Sequence, residues 1–236
     1  MEEQAYKHLE KSEWTEARRA FEVELVAHPK NLDARYNLAL LLQQAGHHDE
    51  ELRLYQKNME LGWHLPTVVN LAAVYRQQSN NRAAEAVLEK ALKRFKYEAT
   101  IHYLLAEIDE EKGDFKQAEK HYKKALLADP LNGFSHIRYA RFLAKRNRLK
   151  LALKHAKRAT ALLPESASCL AIQGDIQIKR KEYSDGLKSY QKSLGIKPDP
   201  ETRQRLIDVL KLTGETERAN RMQRALDAWL KNRSAS

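Results

Sequence analysis

The sequence predicts an all-α fold made of stacked helical hairpins, and three observations support this prediction. A stretch of about 34 residues, 99 to 132, recurs with related spacing in every other part of the chain. Within it, apolar residues lie at steps of three and four, as the buried face of a helix requires. The chain of 236 residues has only eight glycines and six prolines, too few for a β-rich fold or a long linker.

The stretch 99 to 132 describes one complete hairpin. Its first helix has apolar residues at Ile101, Leu105 and Ile108, and Gly113-Asp114 ends that helix. Pro130 ends the second helix, because proline lacks an N–H and clashes with the preceding turn. The buried stripe of the second helix is Phe115, Ala118, Tyr122 and Ala125.

This pattern resembles the tetratricopeptide repeat, which places alanines where two helices touch and a proline at the exit. The resemblance implies a right-handed α-solenoid (superhelix) of helix-turn-helix repeats with a concave face that binds another protein. The chain length fits about seven such units, so we expect one domain over residues 1–231. The expected units are about 1–31, 32–64, 65–98, 99–132, 133–166, 167–199 and 200–231, followed by a disordered tail over 232–236.

The first unit begins with a short helix over residues 1–11. Trp14, Ala17, Phe21 and Pro29 then follow at the spacing of the reference stretch. We therefore interpret this segment as a true repeat with an incomplete start.

The second unit departs most from the pattern, because Glu51 and Asn58 stand where alanine is expected and Trp63 replaces the proline. Overfilling a packed helix contact costs ~1 to 3 kcal/mol. Either the neighbouring helix is displaced here, or these polar side chains face something else. Together with the incomplete first helix, this irregularity leaves surfaces that we expect to allow self-association.

The later units restore small residues at the helix crossings and end in a polar helix. That last helix, over residues 216–231, is rich in Arg, Glu, Asn and Gln, as a terminal cap requires because nothing packs on its outer face. The small residues at the crossings are Ala84, Ala91, Ala152, Ala159, Gly186 and Ser193.

In the tetratricopeptide family the first helix of each pair lines the concave groove. Carried onto this chain, the resemblance implies a surface for a peptide or helix of a partner, apolar near Tyr36 and Tyr103 and charged beyond. The alternative is that these two tyrosines only pack internally. The implied groove residues are Tyr36, Asn37, Leu40, Asn70, Ala73, Arg76, Tyr103, Glu107, Glu110, Arg138, Arg141 and Lys145, followed in the sixth unit by Ala171, Asp175 and Lys179.

One subgroup of the family grips a C-terminal carboxylate with fixed lysines, asparagines and arginines across three repeats. Asn37 and Asn70 occupy one suitable position, but the lysine and asparagine of the preceding repeat are absent. The sequence therefore argues against a receptor for chaperone tails.

Positive charge is concentrated in the fifth unit. Residues 133 to 164 contain nine Lys or Arg residues and no Asp or Glu, in a chain of formal net charge +10. Such a field speeds encounter with an acidic partner and makes binding sensitive to salt. The basic patch outside the groove is Arg146, Arg148, Lys150, Lys154, Lys157 and Arg158.

Two other interpretations of this charge stay open. Glu107, Glu110 and Asp175 could pair with the basic groove residues, leaving the rest as a solvated face. Alternatively, the chain is a basic adaptor for nucleic acid or an anionic membrane surface. Little aromatic interleaving for stacked bases and no recognised nucleic-acid module argue against nucleic acid.

The sequence offers little for catalysis or metal binding. The single cysteine, Cys169, excludes an internal disulfide and a cysteine-built zinc site. His47-His48 lies at a turn next to Asp49 without a third partner that the sequence can place. No phosphate-cradling loop, zincin motif or nucleophile elbow is present. We therefore expect no enzyme activity, no cofactor and no metal, and instead an interaction scaffold within a larger assembly.

No run of residues reaches the ~18 to 20 apolar positions needed to cross a bilayer. The chain opens with Met1-Glu2-Glu3 rather than with a basic leader. We expect a cytoplasmic protein, or a periplasmic one if the chain is an exported domain whose signal has been removed.

Overall fold

The computed structural model describes residues 14–234, and every regular element in that range is a helix. The helices of the first half are α1 Trp14–Ala27, α2 Leu32–Gln44, α3 His48–Leu61, α4 Leu65–Gln77, α5 Asn81–Leu92 and α6 Ala99–Glu111. Those of the second half are α7 Phe115–Ala128, α8 Gly133–Lys145, α9 Leu149–Leu162, α10 Ala167–Lys179, α11 Tyr183–Ile196, α12 Pro200–Leu212 and α13 Thr216–Ser234.

The chain forms two compact units, Met1–Lys112 and Gly113–Ser236. Within each unit, every described helix packs against the helices that precede and follow it in sequence. In the second unit the first helices α8 and α10 also touch each other. The division falls at the Gly113-Asp114 turn of the fourth predicted repeat. The single domain over residues 1–231 therefore stays a prediction.

Each described hairpin turns at a residue in the left-handed backbone region. Three of these residues are Gly46, Gly113 and Gly214, with φ between 79° and 84°. The other hairpins use Ser79, Asn147 and Lys181 at the same repeat position, with φ near 60°. A side chain is strained in this region, which explains why glycine appears in half of these turns.

Helix starts are fixed by polar caps that recur with the repeat. Asn31, Asn80, Asp114 and Asn132 each accept a hydrogen bond from the backbone N–H three residues further on, at 2.9 to 3.1 Å. These bonds satisfy donors that the first helical turn leaves without partners. Turn and cap signals in the sequence therefore set the hairpin boundaries.

The helix crossings are filled by the small residues that the sequence indicates. Ala84, Ala118, Ala125, Ala152 and Ala159 are completely buried. Because alanine lets two backbones approach closely, larger side chains from adjacent helices can interdigitate around each crossing. Tyr55, Tyr122 and Phe142 are among the largest side chains that these contacts bury.

In the second repeat, the two polar residues that replace alanine are buried and hydrogen-bonded. Glu51 is 1% exposed and accepts hydrogen bonds from Gln43 at 2.9 Å and from the ring of His48 at 3.1 Å. Asn58 is fully buried and bonds to Arg35 and Thr67. The expectation that these residues leave an incomplete surface is wrong, because their bonding capacity is used inside the first unit.

The predicted C-terminal end can be compared with the structure over most of its length, whereas the predicted N-terminal helix cannot. The last helix continues to Ser234, three residues beyond the predicted end of ordered structure at 231. The predicted short helix over residues 1–11 lies outside the described residues, as do the last two positions of the predicted tail.

Candidate functional site

In the first unit, hydrogen bonds connect predicted groove residues on successive first helices. The Asn70 amide donates to the hydroxyl of Tyr36 at 3.3 Å and to that of Tyr55 at 3.1 Å. Burial raises the pKa of Tyr36 and, more strongly, that of Tyr55. Both phenols therefore stay protonated and can take part in hydrogen bonds as neutral groups.

A second link joins α4 to α6 through an ion pair. Arg76 donates to Glu107 at 2.8 Å and to Glu111 at 2.5 Å, and Asn81 also donates to Glu111 at 2.8 Å. Burial disfavours the charge of Arg76, but its bonds to the two carboxylates outweigh this and raise its pKa. The structure thus places two predicted groove residues, Arg76 and Glu107, in direct contact.

The remaining predicted residues of this unit are half-buried on the same first helices. Asn37 and Leu40 lie on α2, Ala73 on α4, and Tyr103 and Glu110 on α6. Each keeps part of its surface accessible, as a contact residue requires.

In the second unit, predicted groove residues line an open cavity of about 400 Å³. Arg141 of α8 and both Ala171 and Asp175 of α10 contribute to its wall. Its other lining residues are Ala167, Ser168, Ile172, Ser193, Lys197, Asp199, Glu201, Thr202 and Arg205.

Asp175 organises the polar side of this cavity. It accepts a hydrogen bond from the Tyr190 hydroxyl at 2.6 Å and pairs with Arg205 at 3.0 Å. Arg205 also pairs with Glu201 at 2.6 Å. This network holds α10, α11 and α12 in register, and Ile172 adds an apolar patch beside it.

The sequence analysis placed no groove residue in the seventh repeat, and so missed Arg205 and Thr202. Arg205 is the sixth residue of its unit, the position that the predicted groove residue Arg138 holds in the fifth unit. This repeat register is the sequence signal that points to Arg205 as a groove residue.

The basic groove residues of α8 differ in exposure. Arg138 is half-buried, whereas Arg141 and Lys145 are exposed. Lys179, at the end of α10, is exposed and does not line the cavity.

The predicted basic patch is not one uniform surface. Arg148 pairs with Glu119 at 2.7 Å, and the guanidinium of Arg146 lies 4.0 Å from the ring centre of Phe115. Lys150, Lys154, Lys157 and Arg158 are exposed on α9. Two of the six residues therefore serve local structure, while four present charge to solvent.

Neither a metal centre nor a membrane span is found in the part of the chain that the structure describes. No three of its His, Cys, Asp and Glu side chains are grouped as metal ligands would be. None of its helices combines the length and apolar character that crossing a membrane demands.

Two models of the tetratricopeptide repeat family match the chain, one over residues 65–129 and the other over residues 3–57 and 109–167. These ranges cover more than half of the sequence, so the protein belongs to this family. The resemblance found from the residues alone is confirmed. Members of the family mediate protein–protein interactions as scaffolds and adaptors.

Two curated relatives illustrate the range of similar proteins. The chain is 27% identical over 140 residues to "Hsp70-Hsp90 organizing protein 3" of Arabidopsis thaliana, a match that covers 56% of this chain and 25% of that protein. It is 26% identical over 145 residues to "Type IV pilus assembly protein PilF" of Pseudomonas aeruginosa, covering 60% of this chain and 58% of PilF. The chain thus spans only part of the length of either relative.

Solved structures show the same fold. A chain of the APC/C hetero-tetramer Cut9-Hcn1 superposes with a TM-score of 0.73 at 20% identity, covering 87% of this chain and 41% of that one. A PilF structure of Pseudomonas aeruginosa gives a TM-score of 0.64 at 24% identity, covering 68% of this chain and 74% of the other. The predicted fold class, an all-α solenoid of tetratricopeptide repeats, is confirmed.

Proposed function

We propose that this protein is a non-enzymatic adaptor that binds a peptide or helix of a protein partner on the faces of its first helices, within a larger assembly. The observation that carries the proposal is the cavity of about 400 Å³ lined by α8, α10 and α12. It combines a small apolar floor with convergent charged groups, the usual composition of a site that fixes a ligand's orientation.

The charges of this cavity favour a partner segment with acidic side chains. Asp175 and Glu201 already pair with Arg205. Asp199 accepts a hydrogen bond from the backbone N–H of Thr202 at 2.7 Å, as the cap of α12. The lining has three cations and three carboxylates in all, and its two exposed cations, Arg141 and Lys197, can pair locally with a carboxylate of the partner.

A displayed library of random peptides provides the test, because it assumes no partner. Selected peptides should bind the full chain and slow amide hydrogen exchange in α8, α10 and α12. Ile172→Asp should weaken their binding about tenfold or more, since it places a charge beside the apolar floor. Leu212→Asp is the matched control, because Leu212 is exposed on α12 and does not line this cavity.

A separate variant addresses the acidic character of the partner. Arg141→Glu should weaken the binding of acidic peptides and leave the binding of neutral peptides unchanged. This difference in affinity should decrease at high salt, because salt screens the charges. If the selected peptides bound Ile172→Asp as tightly as the unchanged protein, the proposed binding site would be wrong. If Arg141→Glu weakened acidic and neutral peptides equally, the proposed preference for an acidic partner would be wrong.

A further inference from the structure

The outer helix α9 carries a row of lysines along a shallow apolar groove. Lys150, Lys154 and Lys157 are all exposed and rim a groove of about 430 Å³. Leu151 and Leu153 also line it. The sequence of α9 contains no acidic residue, so this charge is not offset along the helix.

Helix α7 repeats this arrangement. Lys116, Lys120 and Lys124 are exposed around a second groove of about 420 Å³. Leu127 lies in the same groove with 82% of its surface accessible. This exposed leucine gives the groove an apolar anchor point.

These rows are connected within the second unit. Glu119 of α7 pairs with Arg148, the residue that precedes α9, at 2.7 Å. Lys157 also borders a third groove of about 720 Å³, which Lys188 and Lys192 of α11 line as well. The second helices of this unit therefore share one surface.

We propose that this outer surface, the lysine face of α7, α9 and α11, binds an acidic amphipathic helix of a protein partner. It is separate from the cavity on the first helices, and the inference goes beyond the function proposed above. The lysine face is formed by Lys116, Lys120 and Lys124 of α7, Lys150, Lys154 and Lys157 of α9, and Lys188 and Lys192 of α11.

The spacing of the lysines fits a helical partner. Lys150, Lys154 and Lys157 lie at steps of four and three, so they span about 10 Å along α9. Glutamates at the same steps on a partner helix lie on one face and match this period. The neighbouring leucines of the partner can then enter the apolar grooves between the lysine rows.

The composition of the face favours protein over nucleic acid. Apart from Arg180, which pairs with Glu182 at 2.7 Å, the cations that line these grooves are lysines, whereas arginine is the residue that recognises phosphate with two parallel hydrogen bonds. None of the residues that line the two lysine grooves is aromatic, so bases have no side chain on which to stack. A phosphate backbone would also make no apolar contact with the leucines that line these grooves.

The probe is a fluorescein-labelled helical peptide of about 22 residues, long enough to form a helix in solution, with glutamates at steps of three and four beside a leucine stripe. Controls are a scrambled peptide of equal composition, single-stranded oligothymidine and vesicles that contain phosphatidylserine. Fluorescence anisotropy should show binding of the amphipathic peptide at low salt, weakened about tenfold or more at high salt.

Charge reversal locates the site. Lys154→Glu with Lys157→Glu should weaken the probe about tenfold or more, because two attractive contacts become repulsive. Lys90→Glu with Lys93→Glu is the matched control, since both lysines are exposed at the end of a second helix in the first unit. Leu127→Ser should weaken binding several-fold, whereas Leu212→Ser, at another exposed leucine, should not.

The proposal is overturned if the scrambled peptide binds as tightly as the amphipathic one. It is also overturned if oligothymidine or the vesicles bind more tightly, which would make the lysine face a surface for nucleic acid or lipid. Equal losses in the two charge-reversal variants would show that total charge, rather than this face, governs binding.

Discussion

Arg35 donates a hydrogen bond to Asn58 at 3.2 Å inside the first unit, at a helix crossing that the third, fourth and fifth repeats fill with alanine. Asn58 in turn donates to the carbonyl of Leu32 at 2.8 Å and to Thr67 at 3.0 Å. The crossing between α3 and its neighbours is thus held by polar bonds instead of close alanine packing. A fully bonded buried network stabilises one arrangement and makes its partial loss costly.

Asn58→Ala should therefore destabilise the protein although it restores the usual residue of the repeat. The change leaves the buried Arg35 guanidinium with one bond fewer and removes a partner of Thr67. We expect a loss of about 2 to 3 kcal/mol in the free energy of unfolding. Urea denaturation followed by circular dichroism measures it.

The double variant Arg35→Val with Asn58→Ala reproduces the pair that the third repeat has at Val68 and Ala91. Because both polar partners are then absent, it should recover much of the loss. If the double variant were less stable than Asn58→Ala alone, the proposed coupling between the two side chains would be wrong.

Gly174 should not tolerate a methyl group. A Cβ at this position would lie 2.7 Å from two ring atoms of Tyr190 and 3.3 Å from the carbonyl oxygen of Gly186. Tyr190 is buried and bonded to Asp175, so its ring cannot easily move. We expect Gly174→Ala to cost about 1 to 3 kcal/mol, measured by urea denaturation.

Two other glycines of the same repeat provide controls. Gly186→Ala would meet the far end of Ile178, a side chain that can change rotamer, and should cost less. Gly195 has no neighbouring atom within 4 Å of an added Cβ, so Gly195→Ala should stabilise α11 by about 0.5 to 1 kcal/mol. Equal effects of the three substitutions would contradict the packing argument.

The pair His136 and His155 should make stability depend on pH. Their Nδ1 atoms lie 2.9 Å apart, and Nε2 of His136 lies 3.1 Å from the carbonyl of Pro130. Because a carbonyl oxygen only accepts, His136 donates from Nε2, and as a neutral ring it accepts at Nδ1 from His155. Burial, with the nearby charge of Lys154, lowers the pKa of His155 to about 4, and burial also lowers that of His136.

The unfolded chain binds protons at these histidines near pH 6.5, whereas the folded one resists protonation until lower pH. The free energy of unfolding should therefore be highest above pH 6.5, and it should fall by about 2 kcal/mol as the pH decreases toward 4. His155→Gln should flatten this slope in urea denaturation at several pH values. His28→Gln, at an exposed histidine, should keep it. An unchanged slope in His155→Gln would exclude the pair as its source.

Glu119 should also lose its contribution to stability as the pH falls, but in a more acidic range than the histidine pair. Its hydrogen bonds to Lys123 and Arg148 lower the pKa of the carboxyl group to about 2, against desolvation by burial, and Tyr139 also donates to it at 3.1 Å. The contribution is present above the unfolded pKa and is lost as the pH falls toward 2. We expect Glu119→Gln to cost about 1 kcal/mol at neutral pH and little in strong acid, because the pair is partly exposed.

Much of the fold follows from the sequence because its signals are local. Gly46, Gly113 and Gly214 mark turns, Asn31 and Asn132 cap helices, and buried alanines mark the crossings. Each signal acts over a few residues and recurs once per repeat, so spacing alone identifies the hairpins. The resemblance to the tetratricopeptide family, in turn, implies that the first helices form the contact surface.

The sequence by itself determined the all-α class, the repeat family and most hairpin boundaries, since backbone hydrogen bonds and capping depend on near neighbours in the chain. Only the tertiary structure decided that Glu51 and Asn58 are bonded inside the core, and that Asp175 uses Arg205 and Tyr190 as partners. It also decided which lysines of the basic segment border apolar grooves. These outcomes depend on distances between side chains far apart in sequence, which repeat spacing does not specify.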